Sequence, residues 1–144
     1  MVSCTLIVSE LQNRINRAVK ETEQKYQNAL RELGELKKKI NDLELAIVDD
    51  ANAKTGQDKE RLDSAMDKLI KLTDFMISES ERAWEEYRTL ERDYRIGAPE
   101  PPVEAQMKTL WGLCKKTDEL ATDLLCYSLA HFKRKDAVAE PLAI

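Results

Sequence analysis

The residues best suited to chemistry are few and scattered. His131 is the sole histidine. Metal sites inside helical bundles commonly use Glu-x-x-His, which sets a carboxylate and an imidazole on one face one turn apart. Position 128 is Ser128, so that pair is absent, and a single imidazole has no partner ligands. A surface or partly packed histidine is the expected role. The three cysteines, Cys4, Cys114 and Cys126, are odd in number and widely spaced, which does not describe a disulfide framework. Cys114 and Cys126 are twelve residues apart, about 120° beyond whole helical turns, so they do not share a face. They also lack C-x-x-C metal spacing. Cys114 is expected as a small core residue and Cys4 as a partly buried thiol. The chain has no Gly-rich phosphate loop and no G-x-S-x-G elbow. No residue is assigned a catalytic, cofactor-binding or metal-binding role, and the chain is read as a non-enzyme.

The remaining candidates concern binding. Lys37-Lys38-Lys39 would point in three directions on a helix, about 100° apart, and Glu32, Glu35 and Asp42 dilute it. Lys133-Arg134-Lys135, beside Phe132, is the better candidate for an anionic partner, although a basic last turn also suits a helix C-terminus. The end, Leu142-Ala143-Ile144, has an apolar-x-apolar pattern that some peptide-binding domains take as an added strand; a frayed tail is the simpler reading. The most informative cluster is aromatic. Trp84, Tyr87, Tyr94 and Trp111 flank a proline-rich break, with Arg88, Arg92 and Arg95 on neighbouring turns. Such residues either pack the junction of two helices or form an anchor patch, since Trp, Tyr and Arg dominate interface hot spots. The protein-binding candidates are Trp84, Tyr87, Arg88, Arg92, Tyr94 and Trp111.

The elements that must hold these residues are helices. Of 144 residues 35% are charged and only 6% aromatic, with four Gly and four Pro. That composition starves a sheet of turn and β-branched positions and favours long helices. The net charge of −4 and pI of about 5.2 argue against nucleic acid, whose binders gain most of their affinity from basic contact to phosphate. A membrane surface needs Lys and Arg gathered on one face, which is also missing. No apolar run approaches the ~20 residues of a membrane span. The mildly apolar start, 1–8, lacks the basic and long apolar regions of a signal peptide. Reduced thiols and the lack of a leader pattern in 1–8 make the cytoplasm the expected location.

Periodicity sets the boundaries. A first helix is expected over about 6–48. Tyr26, Leu33, Ile40 and Ile47 recur every seven residues, with Ala29, Leu36 and Leu43 three positions after the first three. That is an a/d seam. Val8, Leu11, Ile15, Ala18 and Thr22 form an earlier run, and the eleven-residue step from Ile15 to Tyr26 is a four-residue stutter. Gly34 interrupts this helix, either for a close neighbour or as a tolerated surface residue. Residues 49–60 lose the rhythm and predict a turn, with Thr55-x-x-Asp58 resembling a capping box; a single continuous helix is the alternative. A second helix is expected over about 57–95, its stripe rotating as Thr73, Ser80, Glu79 and Glu86 replace apolar residues. Gly97, Pro99, Pro101 and Pro102 then break the chain. A third helix over about 103–135 carries a broad apolar face, and 136–144 reads as a flexible tail.

The expected fold is all-α: one domain over 1–135, a long antiparallel coiled-coil hairpin plus a third helix, an elongated three-helix bundle that dimerisation could complete. The seam of Leu33, Leu36, Ile40, Leu43 and Ile47 is long enough to serve both a hairpin and a second protomer. The expected function is a protein-protein interaction module, such as an adaptor, assembly subunit or regulator. An inhibitor or chaperone-like binder that masks a target is the alternative, and a membrane-surface module a weaker one. The expected partner is another protein met by helical packing, with homodimerisation; no cofactor is expected.

Overall fold

The computed structural model describes residues 2–49, 55–96 and 101–139, with side chains over 10–47, 56–96 and 103–131. All three segments are helices: α1 (Val2–Asp49), α2 (Thr55–Ile96) and α3 (Pro101–Ala139). At ~1.5 Å per residue, the 48 residues of α1 span roughly 70 Å. Each helix packs against both others, giving a three-helix bundle with no strand among the described residues.

Cross-helix bonds fix the direction of each element. Arg14 donates to Asp93 at 2.9 Å and Lys25 to Glu79 at 3.2 Å, so α1 and α2 are antiparallel. The Cys114 thiol donates to the Ala83 carbonyl at 3.4 Å and the Ser80 hydroxyl to Asp118 at 3.3 Å, so α3 runs back along α2. The chain therefore reverses between Asp49 and Thr55, and the continuous-helix alternative is excluded. The reversal itself, the Thr55 side chain of the expected capping box, Gly97 and Pro99 lie outside the described residues. Pro101 opens α3, where its missing N–H would be unpaired in any case. The helix continues to Ala139, past the expected end at Lys135, because Asp136-Ala-Val-Ala139 holds no breaker before Pro141. No described helix is long and apolar enough to cross a membrane.

The core is divided in two. At the end near the 97–100 break, Leu11, Ile15 and Ala18 of α1 meet Ala83 and Leu90 of α2 and Leu110 of α3. At the opposite end, Leu33, Leu36 and Ile40 meet Leu69, Met76 and Leu124. Truncating a fully buried residue such as Ile40 costs about 2–5 kcal/mol. Between the clusters lies a polar layer. Thr22, Glu79, Ser80 and Thr117 are all buried there. The Thr117 hydroxyl donates to the Leu113 carbonyl at 2.8 Å, whereas Thr22 Oγ1 has no hydrogen-bond partner among the described residues. This layer coincides with the stutter of α1 and the rotation of the α2 stripe: the periodicity changes where the core changes from apolar to polar.

Candidate protein-binding groove

Beside the 97–100 break, α2 and α3 leave an open groove of about 340 Å³ between them. It arises from the fold-back. Each turn of α2 approaching the break is matched by a turn of α3 leaving it, so Tyr87 and Tyr94 come to face Met107 and Trp111. Trp111 keeps 43% of its surface exposed. Behind it, Trp84 packs edge-on against Tyr87, with ring centroids 5.8 Å apart and planes at 85°. Edge-to-face pairs of this kind fix ring orientation as well as burying area. Trp84, Tyr87 and Tyr94 also pack on the apolar cluster beneath, so the groove wall is part of the core.

Charge on the rim is largely internal. Arg95 donates to Glu91 at 2.7 Å, Lys108 lies 3.9 Å from Glu104, and Lys115 sits over the Trp111 ring at 4.6 Å from its centroid. Burial, with Glu91 nearby, pushes the Tyr87 phenol above its ordinary value, so it remains a neutral donor at physiological pH. Beneath the groove, burial pushes the Cys114 thiol up to about 11, which leaves it protonated and a poor nucleophile.

Of the six residues expected to bind a partner, the structure brings Tyr87, Tyr94 and Trp111 into the groove and sets Trp84 behind Tyr87. Arg88 and Arg92 are exposed but stand outside it; Arg92 lies 3.9 Å from Asp93, which Arg14 also holds. In their place the groove uses Glu91, Arg95, Glu104 and Lys108. Pairing residues equidistant from the proline-rich break would have found these.

The seam of α1 has a different fate. Leu33, Leu36 and Ile40 are buried against α2 and α3, while Leu43 and Ile47 are half-buried. A shallow, mixed-charge hollow of about 420 Å³ lies there, with Lys38, Asp42, Leu43 and Arg61 in its wall. At the same end His131 bonds Glu44 at 2.6 Å and lies against Tyr127, ring centroids 4.3 Å apart, so the histidine is partly packed and ties α3 to α1. Lys37, from the basic run, caps the Tyr127 ring at 5.1 Å. The side chains of Cys4, Phe132 and Lys133-Arg134-Lys135, and residues 142–144, lie outside the described residues. Among the described residues no group of three or more His, Cys, Asp or Glu is placed to hold a metal. In comparison with known proteins, no family model, no curated protein and no solved structure matches this chain.

Proposed function

We propose that this protein is a non-enzymatic interaction module, an adaptor, assembly subunit or regulator, that meets its partner through the outer face of α2 and α3. The observation that carries this reading is the half-open Trp111 indole beside Tyr87 and Tyr94, in a groove whose floor is core. Aromatic anchors seated on rigid elements lose little conformational freedom on binding, and they carry most of the energy at protein interfaces. The rim cations are already matched by Glu91, Glu104 and the Trp111 ring. That favours a partner recognised by shape and apolar area over a polyanion. Among the described residues Cys114 is a buried free thiol and Cys126 an exposed one, which fits a reducing compartment, and the cytoplasm is the proposed location.

The test is a photo-crosslinking amino acid placed at position 111 and, as a control, at position 31 on the exposed face of α1. The reading expects a discrete protein adduct from position 111 that is absent from position 31. Equal or no adducts from the two positions would overturn it.

A further inference from the structure

α2 carries two apolar rows. The inner row, Leu69, Met76, Ala83 and Leu90, recurs every seven residues and is buried. One position on from its first three members stand Ile70, Ile77 and Trp84, again spaced by sevens but only half-buried. α3 has a row to match. Trp111, Asp118 and Leu125 are spaced by sevens, and Leu129 follows one turn later; Leu125 keeps 42% of its surface exposed and Leu129 53%. The Asp118 carboxylate accepts from Ser80 at 3.3 Å, and Ser80 lies between Ile77 and Trp84, one turn from each. That bond sets the two outer rows side by side, continuous with the groove at Trp111. From Trp111 to Leu129 the edge runs roughly 27 Å, room for about five turns of another helix.

The charge along this edge is one-sided. Asp67, Asp74 and Glu81 form a further row of sevens, each three residues before Ile70, Ile77 and Trp84, so each is a neighbour on the same face. All three are exposed. Asp67 meets Lys71 at 3.3 Å in a pair open to solvent, a contact of small worth. Asp74, Glu81 and Asp118 have no ion-pair partner among the described residues. The nearby cations are engaged elsewhere: Lys115 lies over the Trp111 ring, and Arg82 holds Glu79 and Glu86. Asp118 stands within the apolar row itself, between Trp111 and Leu125.

In coiled coils the charges beside an apolar seam pair with the facing helix and choose the partner. Acids left unpaired beside an open seam select cations. We infer that the outer edge of α2 and α3 seats a fourth helix supplied by another protein, an amphipathic helix with apolar residues in heptads and lysine or arginine beside them. Its apolar residues would cover Ile70, Ile77, Leu125 and Leu129, and its cations would meet Asp74, Glu81 and Asp118. The same acids repel nucleic acid and anionic lipid. This inference rests on the proposed interaction role and names the chemistry of the partner.

The probe is a fluorescein-labelled peptide of about four heptads, with leucine at a and d and lysine at e and g. A second peptide carries glutamate in place of lysine. Fluorescence anisotropy is read as the full chain is added over about 0.1–100 µM, the range of modest interfaces. The lysine peptide is expected to bind at least about tenfold more tightly than the glutamate peptide, with an advantage that shrinks in high salt. Asp74→Lys with Glu81→Lys should reverse the order of the two peptides. Glu23→Lys with Glu32→Lys, the same change of charge at exposed sites on α1, should leave the order as it was. Leu125→Ser with Leu129→Ser should weaken both peptides. Circular dichroism on each variant reports that the helices are intact. Equal binding of the two peptides overturns the proposal, as does an order that the Asp74 and Glu81 reversal leaves unmoved or that the α1 pair reverses equally. A position-111 crosslinker that captures a protein while lysine brings the peptide no advantage overturns the basic helix and leaves the interaction role standing.

Discussion

Lys25 of α1 reaches Glu79 of α2 at 3.2 Å across the middle of the bundle, and Glu79 is only 4% exposed. The same carboxylate accepts from Arg82, whose other guanidinium nitrogen holds Glu86 at 2.5 Å. Burial alone would raise the Glu79 carboxyl; the hydrogen bonds from Arg82 and Lys25 outweigh it and hold the group below its ordinary value. The hydrogen bond to Glu79 likewise holds the Arg82 guanidinium above its ordinary value. Buried polar layers in coiled coils fix register at some cost in stability. Here the layer separates the two apolar clusters, so a helix that slid along the bundle would carry Glu79 out of its polar layer and towards an apolar cluster.

Because the folded carboxyl titrates below its unfolded value of 4.5, the stability it contributes is present above that value and is lost as pH falls through the folded one. Glu79→Gln is expected to lower stability by about 1–2 kcal/mol at neutral pH, the size of a charge-assisted hydrogen bond. Urea midpoints for the two proteins should differ most near pH 7 and draw together as the pH falls through the acid range, below the carboxyl's ordinary value. A difference that stays constant over that range would remove Glu79 from this role.

Thiol reactivity reports the burial of Cys114 under the groove. In a Cys4→Ser background at about pH 8, the exposed Cys126 should react readily with a chromogenic disulfide reagent in the folded protein. Cys114, buried and pushed up to about 11, should react only when denaturant unfolds the chain. Fast labelling of both thiols in the native protein would mean that α2 and α3 part readily here.

Gly34 stands in the interior of α1, and a Cβ added there would meet nothing within 4 Å. The position is exposed, so the glycine serves no close approach. Gly34→Ala is expected to raise stability by about 0.5–1 kcal/mol through helix propensity and a less flexible unfolded chain. A thermal melt checks it, and a lower midpoint would point to a contact that the folded chain itself does not supply.

The sequence makes the three helices plain because their seams are regular. Leu33, Leu36 and Ile40 keep the 3-4 rhythm and are buried. The break near Pro99 and Pro101 fixes where α3 starts to fold back. The stutter between Ile15 and Tyr26 was visible too, but its meaning was not. Only when Thr22, Glu79, Ser80 and Thr117 come level from three helices does it become a layer. The aromatic candidates were legible because Tyr87, Tyr94 and Trp111 flank the break. Arg88 and Arg92 were placed with them by proximity in sequence, whereas the angular position of each on α2 puts it outside the groove. Glu104 and Lys108 carried no signal on a single helix; they gain their role from the register of α3 on α2. For the same reason Leu124 and Leu125 read as one broad apolar face on α3 alone, whereas the packing of the three helices buries the first and leaves the second exposed.

The most direct test of the central claim, that the outer α2–α3 face is an occupied interface, is the environment of Trp111 itself. Trp84→Phe leaves it as the only tryptophan. Its emission and acrylamide quenching would be followed as the protein captured by the position-111 crosslinker is added, over about 0.1 to 100 µM, concentrations spanning the affinities of modest protein interfaces. The account predicts a solvated, readily quenched indole in the free chain that shifts to the blue and becomes shielded as that partner is added. An indole that stays equally solvated and equally quenched at the highest partner concentration would contradict it.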